Sequence, residues 1–183
     1  MEKKDLKPAG VFKYFEEICQ VPRPSKKEEK MIAYLKAFGA KHNLETKVDE
    51  AGNVLIKKPA TPGKENLQTV VLQSHIDMVC EKNNDVQHDF LTDPIETEID
   101  GEWLKAKGTT LGADNGIGVA TELAILADDS IEHGPLECLF TVDEETGLTG
   151  AFALKEGFMS GDILLNLDSE DEGEIFIGCA GGI

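Results

Sequence analysis

Residues 69–77 read TVVLQSHID, an apolar strand that ends directly in a histidine and an aspartate. The same arrangement occurs twice more, in LECLFTVDEE at 136–145 and in ILLNLD at 163–168. Short apolar runs that alternate with helical patterns are typical of strands buried in a parallel sheet. These three stretches therefore predict an α/β fold with a mostly parallel or mixed sheet flanked by helices.

Helical patterns and further short strands surround these stretches. The helical patterns span 11–19, 25–43, 115–127 and 149–155, and the further strands span 45–49, 54–57, 95–99, 102–105 and 174–178. The second helix begins with the capping box SKKE at 25–28. The third is apolar on nearly all sides, which predicts a buried helix on which only Thr121 and Glu122 are exposed to solvent. No internal repeat or linker interrupts the pattern, so we interpret the chain as one domain.

The composition excludes several classes of partner. The 183 residues contain 35 Asp and Glu against 18 Lys and Arg, a formal net charge of −17. Nucleic acids and anionic membranes both require a positive protein face, and no apolar run approaches the ~20 residues of a membrane span. We therefore expect no nucleic-acid or membrane partner. The absence of a signal-peptide pattern and of any C-x-x-C pair predicts a cytoplasmic protein with reduced thiols.

Side chains that bind metal ions follow each of the three strands, and another begins the buried helix in GTTLGADNGIG. They are His75, Asp77, Asp114, Glu144, Glu145 and Asp168. In an open parallel sheet, ligands bind beyond the carboxyl ends of the strands. We therefore expect residues that are far apart in sequence to meet in one crevice.

So many carboxylates in one crevice require a compensating cation. Two carboxylates about 4 Å apart repel by about 4 kcal/mol at an effective dielectric constant of about 20. No Lys or Arg lies within these motifs. One imidazole among carboxylates favours Zn²⁺, Mn²⁺ or Co²⁺ over Ca²⁺. The ligands outnumber those of one tetrahedral zinc, which predicts two metal ions that share a carboxylate.

Position suggests a role for several of these side chains. Asp77 lies two residues after His75 on an extended strand, so it is on the same face and can accept the second imidazole N–H. Asp114 is near a helix N-terminus, which favours its anionic form and suits a bridging ligand. Glu144 and Glu145 are adjacent, so one can bind metal while the other transfers a proton.

The ordered motifs SHIDMV, GTTLGADNGIG, DEETGLTGA and NLDSEDEGEIFIGCAGG resemble those of two-metal exopeptidases related to carboxypeptidase G2 and tripeptidase T. Within that superfamily the sequence is most similar to the aminoacyl-histidine dipeptidases, over nearly the whole chain. The resemblance implies a zinc-exopeptidase-like catalytic domain with two Zn²⁺ per complete site, or Mn²⁺ or Co²⁺ in their place. One ion would be held by His75, Asp114 and Asp168, and the second by Glu145 with Asp114 as the bridge.

The resemblance also implies the remaining functional assignments. Glu144 would be the general base, Asp77 would orient His75, and the peptide bond between Asp114 and Asn115 would be cis. The substrate would be a dipeptide, especially Xaa-His, and the full-length enzyme would be a homodimer.

The family has a lid domain and a further histidine ligand beyond the point at which this sequence stops. We therefore expect residues 1–183 to be the N-terminal part of a catalytic domain, without the lid domain and the C-terminal catalytic segment, and inactive by themselves. Two alternatives remain open. One is a tripeptidase or N-acyl amino-acid deacylase of the same superfamily, and the other is a non-catalytic acidic module that binds divalent cations. The adjacent Glu144 and Glu145 count against the latter, because the second carboxylate is redundant for binding but required for proton transfer.

Overall fold

A computed structural model describes residues 2–169 and 173–178. The strands are β1 (Glu45–Val48), β2 (Val54–Lys58), β3 (Val70–His75), β4 (Thr97–Asp100), β5 (Trp103–Ala106), β6 (Leu136–Thr141) and β7 (Ile163–Asn166). The helices are α1 (Ala9–Cys19), α2 (Glu29–Lys41), α3 (Ala113–Ala127) and α4 (Thr149–Ala153), preceded by a 3-10 turn at Lys3–Asp5. None of the helices in this part of the chain is long and apolar enough to cross a lipid bilayer.

The central sheet has five strands in the order β1-β2-β6-β3-β7. β3 lies between β6 and β7 and pairs with both in parallel, whereas β2 pairs antiparallel with β1 and β6. β4 and β5 form a separate antiparallel hairpin. The predicted α/β fold with a mixed sheet is confirmed, and its parallel part consists of the three strands that precede the acidic motifs.

The two faces of the sheet are covered unequally because alternate residues point to opposite sides. On one side Ile56, Leu72 and Phe140 belong to the main core, which contains buried residues of α1, α2 and α3. On the other side Leu55, Val71 and Leu139 pack against a smaller group, formed by Leu154, Phe158 and Met159. β2, β3 and β6 therefore contribute buried residues to both cores, whereas all four residues of β7 are exposed.

Helix α3 is buried as its sequence predicts, since Val119, Ala120 and Leu123 are inaccessible to solvent. The expectation that Glu122 is exposed is wrong, because its side chain is also completely buried. The carboxyl group of Glu122 faces the sheet, where Ser74 of β3 and Cys138 of β6 are its polar neighbours.

Two other predictions are wrong. Helix α2 begins at Glu29 with Glu28 as its N-cap, so Ser25 does not cap it, and the Ser25 hydroxyl instead donates to Asp77. The Glu28 carboxylate accepts the backbone N–H groups of Lys26 and Asp143. Residues 174–178 form no strand and pair with no described part of the sheet.

Candidate metal centre

The carboxyl ends of β3, β6 and β7 meet at one edge of the sheet, as the parallel pairing requires. His75 is the last residue of β3, Glu144 follows β6, and Asp168 follows β7. Asp114 reaches the same place from the beginning of α3. The sequence-based expectation that these motifs share one crevice is therefore confirmed.

The buried imidazole of His75 is the centre of this arrangement. Its Nε2 atom lies 3.1 Å from Oδ1 of Asp114, 3.7 Å from Oδ1 of Asp168 and 3.9 Å from Oε2 of Glu144. The other ring nitrogen, Nδ1, lies 3.2 Å from Oδ1 of Asp77. One nitrogen therefore faces three carboxylates, while the second faces a single carboxylate behind it.

Three of these side chains have the geometry of a metal-ligand set. Ligand atoms of His75, Asp114 and Asp168 all lie within 4.8 Å of one another. An imidazole nitrogen with carboxylate oxygens is a donor set that suits Zn²⁺ and similar transition metals. The residues present therefore fit a divalent cation, and three protein ligands leave a position for water or substrate.

The charge balance at His75 supports the same fit. Burial lowers the pKa of His75, but the carboxylates of Asp77, Asp168 and Asp114 outweigh burial and raise the pKa to about 9. The surrounding carboxylates therefore favour a positive charge at this position. A divalent cation supplies such a charge to all of them at once.

Asp77 is completely buried and is held by donors from three directions. Its Oδ2 atom accepts the Ser25 hydroxyl at 2.7 Å, and the backbone N–H groups of Glu144 and Glu145 donate to the same carboxylate at 3.0 and 3.3 Å. Burial raises the pKa of Asp77, but His75 and these donors lower it to about 2. The carboxylate is therefore ionised and fixes both the imidazole and the loop after β6.

Asp114 and its neighbour Asn115 interrupt the first turn of α3. Both residues have non-helical backbone angles, and the peptide bond between them is cis, as the resemblance implies. The Asp114 side chain is 59% exposed, so its carboxylate is open to solvent at the crevice. The Asn115 side-chain amide donates to the Asp168 carboxylate and to the Leu167 carbonyl.

Glu144 and Glu145 occupy different places in the crevice. Burial, with Asp168 and other carboxylates nearby, raises the pKa of Glu144 above its usual value. Burial and the neighbouring Asp114 also raise the pKa of Glu145, whose carboxylate accepts the backbone N–H of Val79. Glu145 is near Asp114 but lies outside the set of three ligands that includes His75.

Sequence reasoning missed several residues that support this centre. The sequence pattern predicts a helix cap at Ser25, and it gives the side chain of Asn115 no role at the site. Arg23 lies between two prolines, where no motif marks it, yet its guanidinium is buried beside the residues that follow His75. Asn115 is adjacent to Asp114, but only the fold brings Ser25 and Arg23 to the site, since neither has a distinctive spacing from the candidate ligands.

The chain is similar in sequence to known peptidases. The sequence profile of peptidase family M20/M25/M40 matches residues 71–179, which include all the candidate ligands. The cytosol non-specific dipeptidase of Escherichia coli strain K12 is 53% identical over 182 residues. The match covers 100% of this chain and 38% of that protein, so the chain spans well under half the length of this relative.

Solved structures show the same similarity. The aminoacylhistidine dipeptidase of Vibrio alginolyticus superposes with a TM-score of 0.95 at 56% identity, over 98% of this chain and 36% of that one. The aminopeptidase PepT of Bacillus cereus superposes with a TM-score of 0.75 at 26% identity, over 88% of this chain and 43% of that one. In both comparisons the matched part is less than half of the solved structure.

Proposed function

The chain belongs to peptidase family M20/M25/M40, and we propose that it carries the metal centre of a dipeptidase that hydrolyses dipeptides, especially Xaa-His. The observation that carries this proposal is the cluster of His75, Asp114 and Asp168, with ligand atoms within 4.8 Å of one another. The substrate class is supported by the names of the relatives from Escherichia coli and Vibrio alginolyticus, both of which are dipeptidases.

The proposed cofactor is Zn²⁺, with Mn²⁺ or Co²⁺ as substitutes, and two ions per complete site. His75, Asp114 and Asp168 would hold one ion, and Asp114 with Glu145 would contribute to the second. Bound divalent cations supply a Lewis acid and lower the pKa of a water molecule to near neutrality. The position of Glu145 beside Asp114 supports the sharing of Asp114.

Glu144 is the proposed general base. A proton acceptor must be close to the reacting centre and have a pKa near the working pH. Glu144 has its carboxylate 3.9 Å from Nε2 of His75, and its pKa is raised by burial and by neighbouring carboxylates. Its backbone N–H is fixed by Asp77, which limits the movement of the side chain.

Asp77 is the proposed partner of His75. Its ionised carboxylate faces Nδ1 and so favours the tautomer that carries a proton there, which leaves Nε2 free to bind a metal ion. The hydrogen bonds from Ser25 and the loop after β6 keep that carboxylate in place. Asp77 therefore acts on the reaction through the orientation of His75.

A cavity of about 210 Å³ borders Asp114 and Asp168 and is also lined by Ile117 and Leu167. The cavity is open to solvent beside these two carboxylates. We propose that residues 1–183 are the N-terminal part of the catalytic domain and have little activity alone. Among the described residues, Glu145 and Asp114 are the proposed contributors to the second ion.

We also propose a cytoplasmic location and a homodimer for the full-length enzyme. The word "cytosol" in the name of the Escherichia coli relative supports the location. The dimer rests on the family resemblance, and light scattering of the full-length protein tests it. A monomer at micromolar concentration would contradict that part of the proposal.

The test of function is hydrolysis by the full-length protein after metal removal and after addition of Zn²⁺, Mn²⁺ or Co²⁺. We expect alanyl-histidine to be cleaved in the metal-loaded state and activity to disappear after chelation. Trialanine and an N-acetyl amino acid serve as competing substrates in the same assay. If trialanine or the N-acetyl amino acid is cleaved faster than alanyl-histidine, the function is that of a tripeptidase or a deacylase instead. Cleavage that does not depend on metal would contradict the mechanism.

A further inference from the structure

Arg23 lies in the segment between α1 and α2, and its side chain is only 2% exposed. Its Nη1 atom donates to the carbonyl oxygens of Ile76 and Asp77, both at 3.2 Å, and Nη2 donates to the carbonyl of Gly112 at 2.6 Å. Within the described part of the chain it forms no ion pair with a carboxylate. A buried charge held only by backbone carbonyls is unusual, because burying a guanidinium without a counter-ion costs free energy.

The three carbonyls belong to the two segments that present the ligands. Ile76 and Asp77 follow His75 directly, whereas Gly112 precedes Asp114 at the beginning of α3. The guanidinium therefore connects the end of β3 with the start of α3. These are the segments whose side chains approach to 3.1 Å, between Nε2 of His75 and Oδ1 of Asp114.

The glycines of the GADNGIG motif leave space for this side chain. A Cβ atom at Gly112 would lie 2.6 Å from Nη2 of Arg23, and one at Gly116 would lie 2.7 Å from the same atom. Gly112 also has a φ of +68°, which other residues rarely adopt. The start of α3 is thus shaped around the guanidinium.

The backbone beside Arg23 is joined to the same segment. Its carbonyl accepts the N–H of Met78 at 3.2 Å, and Pro24 forms a parallel bridge with Met78. Ser25 then donates to the carboxylate of Asp77. Residues 23–25 therefore hold Asp77 by its backbone carbonyl and by its side chain.

We propose that Arg23 is a positioning residue of the metal centre, which fixes the distance between His75 and Asp114 by joining the segments that carry them. This inference rests on the proposed function, because it assumes that these two side chains bind a metal ion. The planar fork of arginine matches three carbonyls at fixed angles, which a lysine ammonium cannot do. Its charge also lies close to the acidic crevice and offsets part of the repulsion among the carboxylates.

Loss of the guanidinium should therefore weaken metal binding. Removal of groups that orient metal ligands typically lowers metal affinity by roughly 10–100-fold. We expect a loss in this range for Arg23→Met, and a smaller loss for Arg23→Lys, which keeps the charge but not the fork.

Lys58 offers a matched control. It is also a buried cation that donates to backbone carbonyls, those of Ile125 and Asp128, at 3.1 and 2.8 Å. These carbonyls are at the opposite end of α3 from Asp114. Lys58→Met should destabilise the fold by the same kind of loss but leave metal affinity unchanged.

The experiment is a titration of the metal-free full-length protein with Co²⁺ for wild type and the three variants. Calorimetry measures the affinity, and the visible absorption spectrum reports the coordination of the ion. Thermal melting in chelator measures folding separately. We expect Arg23→Met to bind Co²⁺ roughly 10–100-fold more weakly, with an altered spectrum, whereas Lys58→Met retains both wild-type affinity and wild-type spectrum.

Each other outcome overturns a specific statement. If wild type binds no Co²⁺, the proposed function fails. If wild type binds but Arg23→Met binds equally well with the same spectrum, the inference about Arg23 fails. Equal losses in Arg23→Met and Lys58→Met would show a general structural effect and overturn the inference. Failure of both arginine variants to fold would make Arg23 a requirement of the fold rather than of the metal centre, which also overturns it.

Discussion

The buried carboxyl of Glu122 should make the stability of the protein depend on pH. It lies on α3 against the sheet, completely inaccessible to solvent, and neither carboxyl oxygen has a partner in hydrogen-bonding geometry within the described residues. Burial raises the pKa of Glu122 from 4.5 to about 8, and the nearby Ser74 and Cys138 lower it only in part. At neutral pH the folded protein therefore holds a proton that the unfolded chain releases.

The sign and size of the effect follow from that difference. Between pH 4.5 and 8 the folded state binds more protons than the unfolded state, so the free energy of unfolding falls as pH rises. The stability that depends on the neutral Glu122 carboxyl is fully present below about pH 4.5 and is lost as pH rises through about 8. Above that pH the free energy of unfolding no longer changes because of Glu122. A pKa difference of about 3.5 corresponds to about 5 kcal/mol as an upper limit.

The perturbation is Glu122→Gln, which keeps the shape of the side chain and removes the titration. The assay is urea unfolding between pH 5 and 9 with chelator present throughout, so that metal binding does not contribute. We expect the variant to gain stability relative to wild type as pH rises, by several kcal/mol between pH 5 and 9. The exposed Glu102 provides the control Glu102→Gln. A stability difference between Glu122→Gln and wild type that does not change with pH would refute the reasoning.

Three further predictions concern the metal centre. Glu144→Gln should lower turnover by about 10²–10⁴-fold with metal content unchanged, whereas Glu145→Gln should lose metal. Activity assays combined with metal analysis check this. The reverse pattern would exchange the roles of the two residues. Ser25→Ala should raise the pKa of Asp77. It should weaken Zn²⁺ binding less than Arg23→Met does, because two backbone N–H groups still hold Asp77. A loss of Zn²⁺ affinity by calorimetry larger than that of Arg23→Met would count against this prediction. Zn²⁺ at a hundredfold excess over its Kd should stabilise the fold by about 2.7 kcal/mol, visible as a higher melting temperature, and an identical melting curve in chelator would contradict metal binding.

The fold, and the meeting of the candidate ligands in one crevice, could be predicted from the sequence because both depend on local patterns. Apolar runs such as 70–75 and 136–141 identify buried strands, and parallel pairing then brings the residues after them together. That one rule is enough to bring His75 and Asp168 into the same crevice. It works because the order of polar and apolar residues decides which segments are buried.

The supporting residues were not accessible, because their roles depend on tertiary contacts. Ser25 has the sequence pattern of a helix cap, but its hydroxyl donates a hydrogen bond to the carboxylate of Asp77. Glu122 is in an apolar helix and was expected to be exposed, since a charged residue is rarely buried without a partner. Arg23 is remote in sequence from the two segments whose carbonyls it contacts, so a search for cations within the motifs did not find it.

The central claim is that His75, Asp114 and Asp168 hold a divalent cation. The most direct test is a crystal structure of the full-length protein grown with Zn²⁺, with anomalous scattering recorded at the zinc edge. We predict an anomalous peak at about 2.0–2.2 Å from Nε2 of His75 and from a carboxylate oxygen of each aspartate. No peak among these three side chains, or a peak bound only by other residues, would contradict the account.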